Sequence, residues 1–179
     1  VQYPEANAVQ LLWETDRPAS AVVSWGRTEE MPQRLVLENT GERLRRVRIE
    51  GLEPDSNWFY RVVAISRTGQ RLDSGRLQFR TPVESGQPFV FAALSDTETR
   101  PFVAARLARA IWEESPHLLI NAGDLTDSGH VGNRMEWTHE YFEAFGHFGS
   151  RVPVLPVMGN GEDDFVWFGR YLHTPGAGI

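Results

Sequence analysis

Cysteine and lysine are both absent from the 179 residues. Without cysteine there are no disulfides, no thiolate metal ligands and no cysteine nucleophile, while the redox compartment stays open. All 18 basic residues are arginine, which we assign to coding bias rather than to mechanism. No apolar run approaches the length of a membrane span, so no membrane partner is expected, and Val1-Gln2-Tyr3-Pro4 lacks the basic-then-apolar pattern of a signal sequence. With 24 acidic residues against 18 basic ones the formal net charge is −6, which argues against a general nucleic-acid binder. The one basic cluster, Arg43, Arg45, Arg46 and Arg48, alternates irregularly with Leu44, Val47 and Ile49 and reads as the solvated face of a strand.

What is present suffices for a packed protein: 41% of residues are hydrophobic, including 10 Phe and 6 Trp, so a folded chain of one large or two small domains is expected. Up to Pro82 the pattern is that of short strands and turns. Val9 to Glu14, Ser20 to Trp25, Arg34 to Glu38, Arg45 to Ile49, Asn57 to Ser66 and Leu77 to Thr81 read as strands with no helix among them, which predicts an antiparallel β-sandwich. Trp13, Trp25, Trp58 and Phe59 are expected in its core rather than on a ligand surface. The polar stretch Val83 to Pro88 reads as a linker, giving domains at 1–82 and 89–179.

After the linker, strand and helix alternate. Phe89 to Leu94, Leu118 to Asn121 and Val152 to Met158 are apolar runs, each ending in oxygen-bearing side chains: Ser95-Asp96-Thr97-Glu98, Gly123-Asp124-Leu125-Thr126-Asp127, and Gly159-Asn160-Gly161-Glu162-Asp163-Asp164. A helix is expected from Pro101, with Val103, Leu107, Ala110 and Ile111 at helical spacing. A second is expected over about 133–148, and a third from near Asp163 carrying Phe165, Phe168, Tyr171 and Leu172. Three parallel strands joined by helices would bring their carboxyl ends to one edge, where ligands of open α/β sheets gather, so Asp96, Asp124 and Asn160 should converge. Asp and Asn also cap helices and turns for ordinary hydrogen-bonding reasons, and each motif alone has that reading. Glu98, Glu162, Asp163 and Asp164 are read as caps or solvated acids.

Two resemblances follow from these residues. Trp13, the run Gly51-Leu52-Glu53-Pro54-Asp55-Ser56-Asn57-Trp58-Phe59-Tyr60 and the closing Phe79-Arg80-Thr81-Pro82 resemble a fibronectin type III domain. That likeness implies that the Tyr60 hydroxyl ties the preceding loop to the sheet. The three strand-end motifs resemble the calcineurin-like metallophosphoesterases, and the preceding sandwich makes the purple acid phosphatase branch the nearest match. The resemblance implies a centre of two divalent metal ions, with Asp96 a ligand of one, Asp124 the bridge and Asn160 a ligand of the second. It implies a phosphate mono- or diester as substrate and a place outside the cytoplasm.

The departures carry weight as well. Gly161 stands where the family has a histidine that assists the leaving group, and Asp127 stands where purple phosphatases have an iron-binding tyrosine. The family's other histidine ligands lie on later strands, beyond the third motif. None of the five histidines of this chain replaces them: His117 reads as structural, His130, His139 and His147 have no pair at chelating spacing although His130 lies nearest the acidic turn, and His173 reads as a helix-end residue in a favourable dipole. The expectation is therefore a partial α/β domain, inactive alone, with an uncovered sheet face open to self-association. Three functions remain in view: a phosphoesterase completed by further chain, a family member serving as a binding or structural module without catalysis, and an adhesion module using the sandwich alone.

Overall fold

The computed structural model of the chain describes residues 1–172, with Tyr3 and Pro4 described by backbone alone. Eight strands form the first layer pair: β1 (Gln2–Glu5), β2 (Ala8–Glu14), β3 (Ala19–Gly26), β4 (Gln33–Leu37), β5 (Leu44–Glu50), β6 (Asn57–Ser66), β7 (Arg71–Asp73) and β8 (Leu77–Arg80). One sheet has the order β1-β2-β5, and the other runs β4-β3-β6 with β7 and β8 both on the free edge of β6. All pairings are antiparallel, as in a fibronectin type III-like sandwich whose last strand is split in two. The split falls at Ser74, whose backbone and hydroxyl both bond to Val62 and so replace the strand ladder there.

Alternation sets the faces. Val9 and Leu11 on β2, Ala21 and Val23 on β3, and Val47 and Ile49 on β5 point into one core with Trp58, Tyr60 and Phe79. Trp13 and Trp25 pack against that core as expected, whereas Phe59, on the opposite face of β6, is half-buried beneath the Arg76 guanidinium rather than in the core. The arginines of β5, and Arg43 just before it, are engaged one by one, Arg46 by donating to the carbonyl of Arg170. Arg48 pairs with Glu5 and Glu50, Arg43 with Glu14, and Arg45 donates to the carbonyls of Ala19 and Glu38.

Residues 91–171 build the second layer pair. β9 (Phe91–Leu94), β10 (Leu118–Asn121) and β11 (Val154–Pro156) form a parallel sheet in the order β11-β10-β9, with Leu119 opposite both Ala92 and Val154. Helix α1 (Pro101–Glu113) connects β9 to β10. A continuous helical stretch connects β10 to β11: α2 (Arg134–Glu136), a π-helical segment (Trp137–Phe142) and α3 (Glu143–Gly149). Helix α4 (Phe165–Tyr171) follows, its first turn capped by the Asp164 carboxylate accepting from Val166 N at 2.9 Å. Leu119, the central residue of the central strand, is fully buried, which contributes about 1.5–3 kcal/mol.

Two expectations are corrected here. The buried face of α1 is Ala104 and Ala108, with Ala105 and Ile111 partly buried, whereas Val103, Leu107 and Ala110 are exposed. Small side chains let α1 lie close on α3 and the sheet, and that close packing overrides the wider stripe of larger apolar residues. The Tyr60 hydroxyl does not tie its own loop; it donates to the carbonyl of Ser150, 2.6 Å away, beyond α3. The loop is held instead by Thr81 Oγ1, which donates to Glu53 O at 2.6 Å and accepts from Ser56 N at 2.9 Å.

The sandwich and the α/β layer also meet at Glu14, whose carboxylate accepts from Arg134 at 2.5 Å and from the Tyr171 hydroxyl at 3.0 Å. One face of the parallel sheet packs on the helices through Ala92, Leu94, Leu119 and Val154. The opposite face is open, with Phe91 and Val157 more than half exposed, which is the uncovered face that the sequence predicts. Among the described residues, no helix is long and apolar enough to cross a membrane.

Candidate metal centre

Three loops leave the carboxyl ends of β9, β10 and β11, and the parallel register brings them to one edge. The backbone pairs them beyond the strands. Asp96 N donates to Gly123 O at 3.2 Å and Thr97 N to Asp124 O at 2.9 Å, joining the first loop to the second. Gly161 N donates to Asp124 Oδ1 at 2.9 Å, and Gly129 N to Gly161 O at 3.0 Å, joining the second to the third.

Close approach makes glycine necessary at the crossing. Gly123 has φ of 104°, and a Cβ there would lie 2.9 Å from Gly159 Cα. A Cβ on Gly161 would overlap the carbonyl oxygen of Thr126. Gly161 therefore sits where this backbone leaves no room for any side chain. Three non-glycine residues in the first two loops, Asp96, Thr99 and Asp124, have φ of 54°, 59° and 52°. Such backbone persists only where its surroundings over-determine it, and it gathers at functional sites.

Asp96, Glu98 and Asp124 each offer a carboxylate oxygen, and these oxygens lie within 4.8 Å of one another. Asp96 is exposed, while Glu98 and Asp124 are half-buried. Glu98 Oε2 is buried without a hydrogen-bond partner among the described residues. Burial first, and then the charges of Asp124, Asp96 and Asp127, push the Glu98 carboxyl above the usual carboxylate range. Three mutually repelling acids, one with an orphaned oxygen, fit a divalent cation of the hard, oxygen-seeking kind.

Of the residues expected from sequence, Asp96 and Asp124 are thus together. Asn160 lies on the third loop between Gly159 and Gly161, the two glycines packed against Asp124, and is exposed. Glu98 is no solvated cap; it belongs to the cluster, and its place two residues after Asp96 in a short turn was the available signal. Asp127 is exposed and outside the cluster. His117 is buried and accepts from Val90 N at 3.1 Å, as a structural residue does. His130 Nδ1 accepts from Gly132 N within its own turn, His139 lies beside Glu143, and His147 lies beside Arg151. His173 lies outside the described residues.

Two further acids shape the site without joining the cluster. Glu162 is fully buried, and its carboxylate accepts from the backbone of Leu125, Thr126 and Gly159. Glu140, on the π-helical segment, accepts from the backbone of Thr99 and Asp127. Desolvation and then neighbouring Glu136 raise the Glu140 carboxyl, while the two amide donors oppose the rise. Asp163 and Asp164 serve local structure: Asp163 accepts from the Ser128 hydroxyl at 3.3 Å, and Asp164 caps α4 and also accepts from Val131 N at 2.7 Å.

Comparison with known proteins bears on the fold and the family. The family model of the calcineurin-like phosphoesterases matches residues 89–177. The structure of a purple acid phosphatase from yellow lupin (Lupinus luteus) seeds is similar over 89% of this chain and 34% of its own, with a TM-score of 0.69 and 14% identity. The structure of PhoD is similar over 88% of this chain and 37% of its own, with a TM-score of 0.64 and 13% identity. At such identity the likeness establishes the fold, and it does so across the sandwich and the α/β layer together. This chain spans about a third of the length of those structures. No curated protein matches its sequence. Through residues 89–177, behind a fibronectin type III-like sandwich, the chain belongs to the calcineurin-like phosphoesterase family.

Proposed function

We propose that Asp96, Asp124 and Asn160, joined by Glu98, are the first part of a divalent-metal centre, and that the protein to which this chain contributes hydrolyses a phosphate mono- or diester. The observation that carries this reading is the meeting of three carboxylate oxygens within 4.8 Å at the carboxyl ends of parallel strands, in a chain of this family. Two bound divalent cations would supply an acidified water and a positive charge for the attacking and leaving oxygens of the ester.

The residues of the chain supply the rest. Gly161 N fixes the rotation of the Asp124 carboxylate through Oδ1, leaving its second oxygen to a cation. The Asn160 amide adds a neutral oxygen to a centre that must also accept an anion. In this reading metal-activated water is the attacking group and no covalent enzyme intermediate forms. Export from the cytoplasm belongs to the same reading, as does the division into domains at 1–82 and 89–179, which the exposed run 84–90 supports.

The test has two parts. Calorimetric titration with Mn2+ should show binding to this chain that Asp124→Asn abolishes. A longer protein containing the chain should hydrolyse p-nitrophenyl phosphate or its diester with Mn2+ present and lose that activity in the same variant. A second reading, a family member that binds metal or phosphate without turnover, is favoured by Gly161, which offers no group to the leaving oxygen and no room for one. Metal binding without hydrolysis of any phosphoester by the longer protein would select it.

A further inference from the structure

We propose that Glu140 and Glu162 are positioning residues, two carboxylate staples that hold the three strand-end loops in the arrangement in which the oxygens of Asp96, Glu98 and Asp124 meet. The inference rests on the metal-centre reading above. Glu162 Oε1 accepts from Leu125 N at 2.6 Å and Thr126 N at 3.0 Å, and its Oε2 from Gly159 N at 2.5 Å. One side chain thus grips the residue after Asp124 and the residue before Asn160. Glu140 Oε1 accepts from Thr99 N at 3.0 Å, and its Oε2 from Asp127 N at 2.9 Å. It grips the residue after Glu98 and, on the second loop, the far end of the turn that begins at Asp124.

The chemistry suits a staple rather than mere filling. A carboxylate has two oxygens and several lone pairs, so it can take donors from two loops at once, which no apolar residue of the same volume can do. Burying that charge is costly, and Glu162 has no cationic partner among the described residues. Only donors held in this geometry offset the cost, so the carboxylate and the loops fix one another. The gripped loops carry the positive-φ residues Asp96, Thr99 and Asp124, which relax when their surroundings loosen. The π-helical segment that carries Glu140 has the wider turn often found beside functional sites.

The experiment combines Mn2+ calorimetry with amide hydrogen exchange on this chain. The variants are Glu162→Gln, Glu162→Ala, Glu140→Gln and, as a control far from the loops, Tyr60→Phe. Loss of an outer residue that orients metal ligands weakens binding about 10–100-fold. That loss is expected in Glu162→Ala. It should be smaller in Glu162→Gln and in Glu140→Gln, each of which keeps one oxygen acceptor. Exchange should quicken at Leu125, Thr126 and Gly159 in Glu162→Ala, at Gly159 in Glu162→Gln, and at one of Thr99 and Asp127 in Glu140→Gln. Tyr60→Phe should lower the melting temperature yet leave both readouts unchanged. The proposal is overturned if Mn2+ affinity merely follows melting temperature in every variant, control included, or if exchange at those amides does not change. A wild-type chain that takes up no Mn2+ would sink the metal-centre reading instead, and the exchange data would still decide the staples: local quickening supports them and unchanged rates overturn them.

Discussion

Replacing Glu98 with glutamine should stabilise the metal-free chain and destabilise the metal-bound one. The carboxylate oxygens of Asp96, Glu98 and Asp124 lie within 4.8 Å of one another. Two unit charges at that separation repel by about 1 kcal/mol in bulk water and by about 3.5 kcal/mol at an effective dielectric near 20. Asp96 is exposed and its share is screened, so removing the Glu98 charge should recover about 1–2 kcal/mol. For a chain of this size that raises the melting temperature by about 2–8 °C.

The pH dependence has a definite sign. Glu98 has a folded pKa raised above its model-compound value of 4.5, first by burial and then by its acidic neighbours. Its favourable contribution is therefore fully present below pH 4.5 and lost as pH rises through the folded value. Glutamine stays neutral throughout, so the advantage of the variant should be full at pH 7 in EDTA and shrink toward pH 4.5. Saturating Mn2+ should invert the order, because a ligand at a hundred times its Kd stabilises by about 2.7 kcal/mol and the variant binds it less tightly. Melting curves at both pH values, with EDTA and with Mn2+, provide the assay. A variant less stable than wild type in EDTA at pH 7, or a gap that does not close on acidification, would refute the reasoning.

Three further outcomes are expected. Asp124→Asn should reduce Mn2+ retention on dialysis far more than Asp127→Asn, since Asp127 stands outside the cluster; equal retention would remove Asp124 from the proposed metal centre. Tyr60→Phe loses the hydrogen bond to Ser150 and should cost about 1 kcal/mol in urea unfolding, and an unchanged midpoint would mean that this contact adds nothing. Gly161→Ala should destabilise by about 1–3 kcal/mol, because its Cβ meets the Thr126 carbonyl. Gly161→His should likewise lower the melting temperature, and a histidine variant as stable as wild type would show that the loop yields.

Much of this was legible in the sequence because alternation and strand ends are local signals. Asn57–Ser66 and Leu118–Asn121 are strands at the expected bounds, and Asp96 and Asp124 meet because three parallel strands share one carboxyl edge. Strands β1 and β7 escaped notice, the first because it contains Pro4 and the second because its three residues are exposed and alternate with nothing. The small-residue face of α1 was hidden for a different reason: periodicity marks large apolar residues, whereas Ala104 and Ala108 are chosen by the closeness of a neighbour far along the chain. Glu140 and Glu162 are unreadable as staples, since all but one of their partners are backbone amides 13 to 41 residues away in sequence. The acceptor of the Tyr60 hydroxyl cannot be read from its own strand, because it belongs to the other layer pair, 90 residues on.

The most direct measurement is paramagnetic broadening of amide resonances during titration of this chain with Mn2+. A centre at the strand ends requires that signals of residues 96–98, 123–127 and 159–162 broaden first and together, and that Asp124→Asn removes the effect. Broadening that begins at acidic residues elsewhere on the surface, or none at stoichiometric Mn2+, would contradict the account.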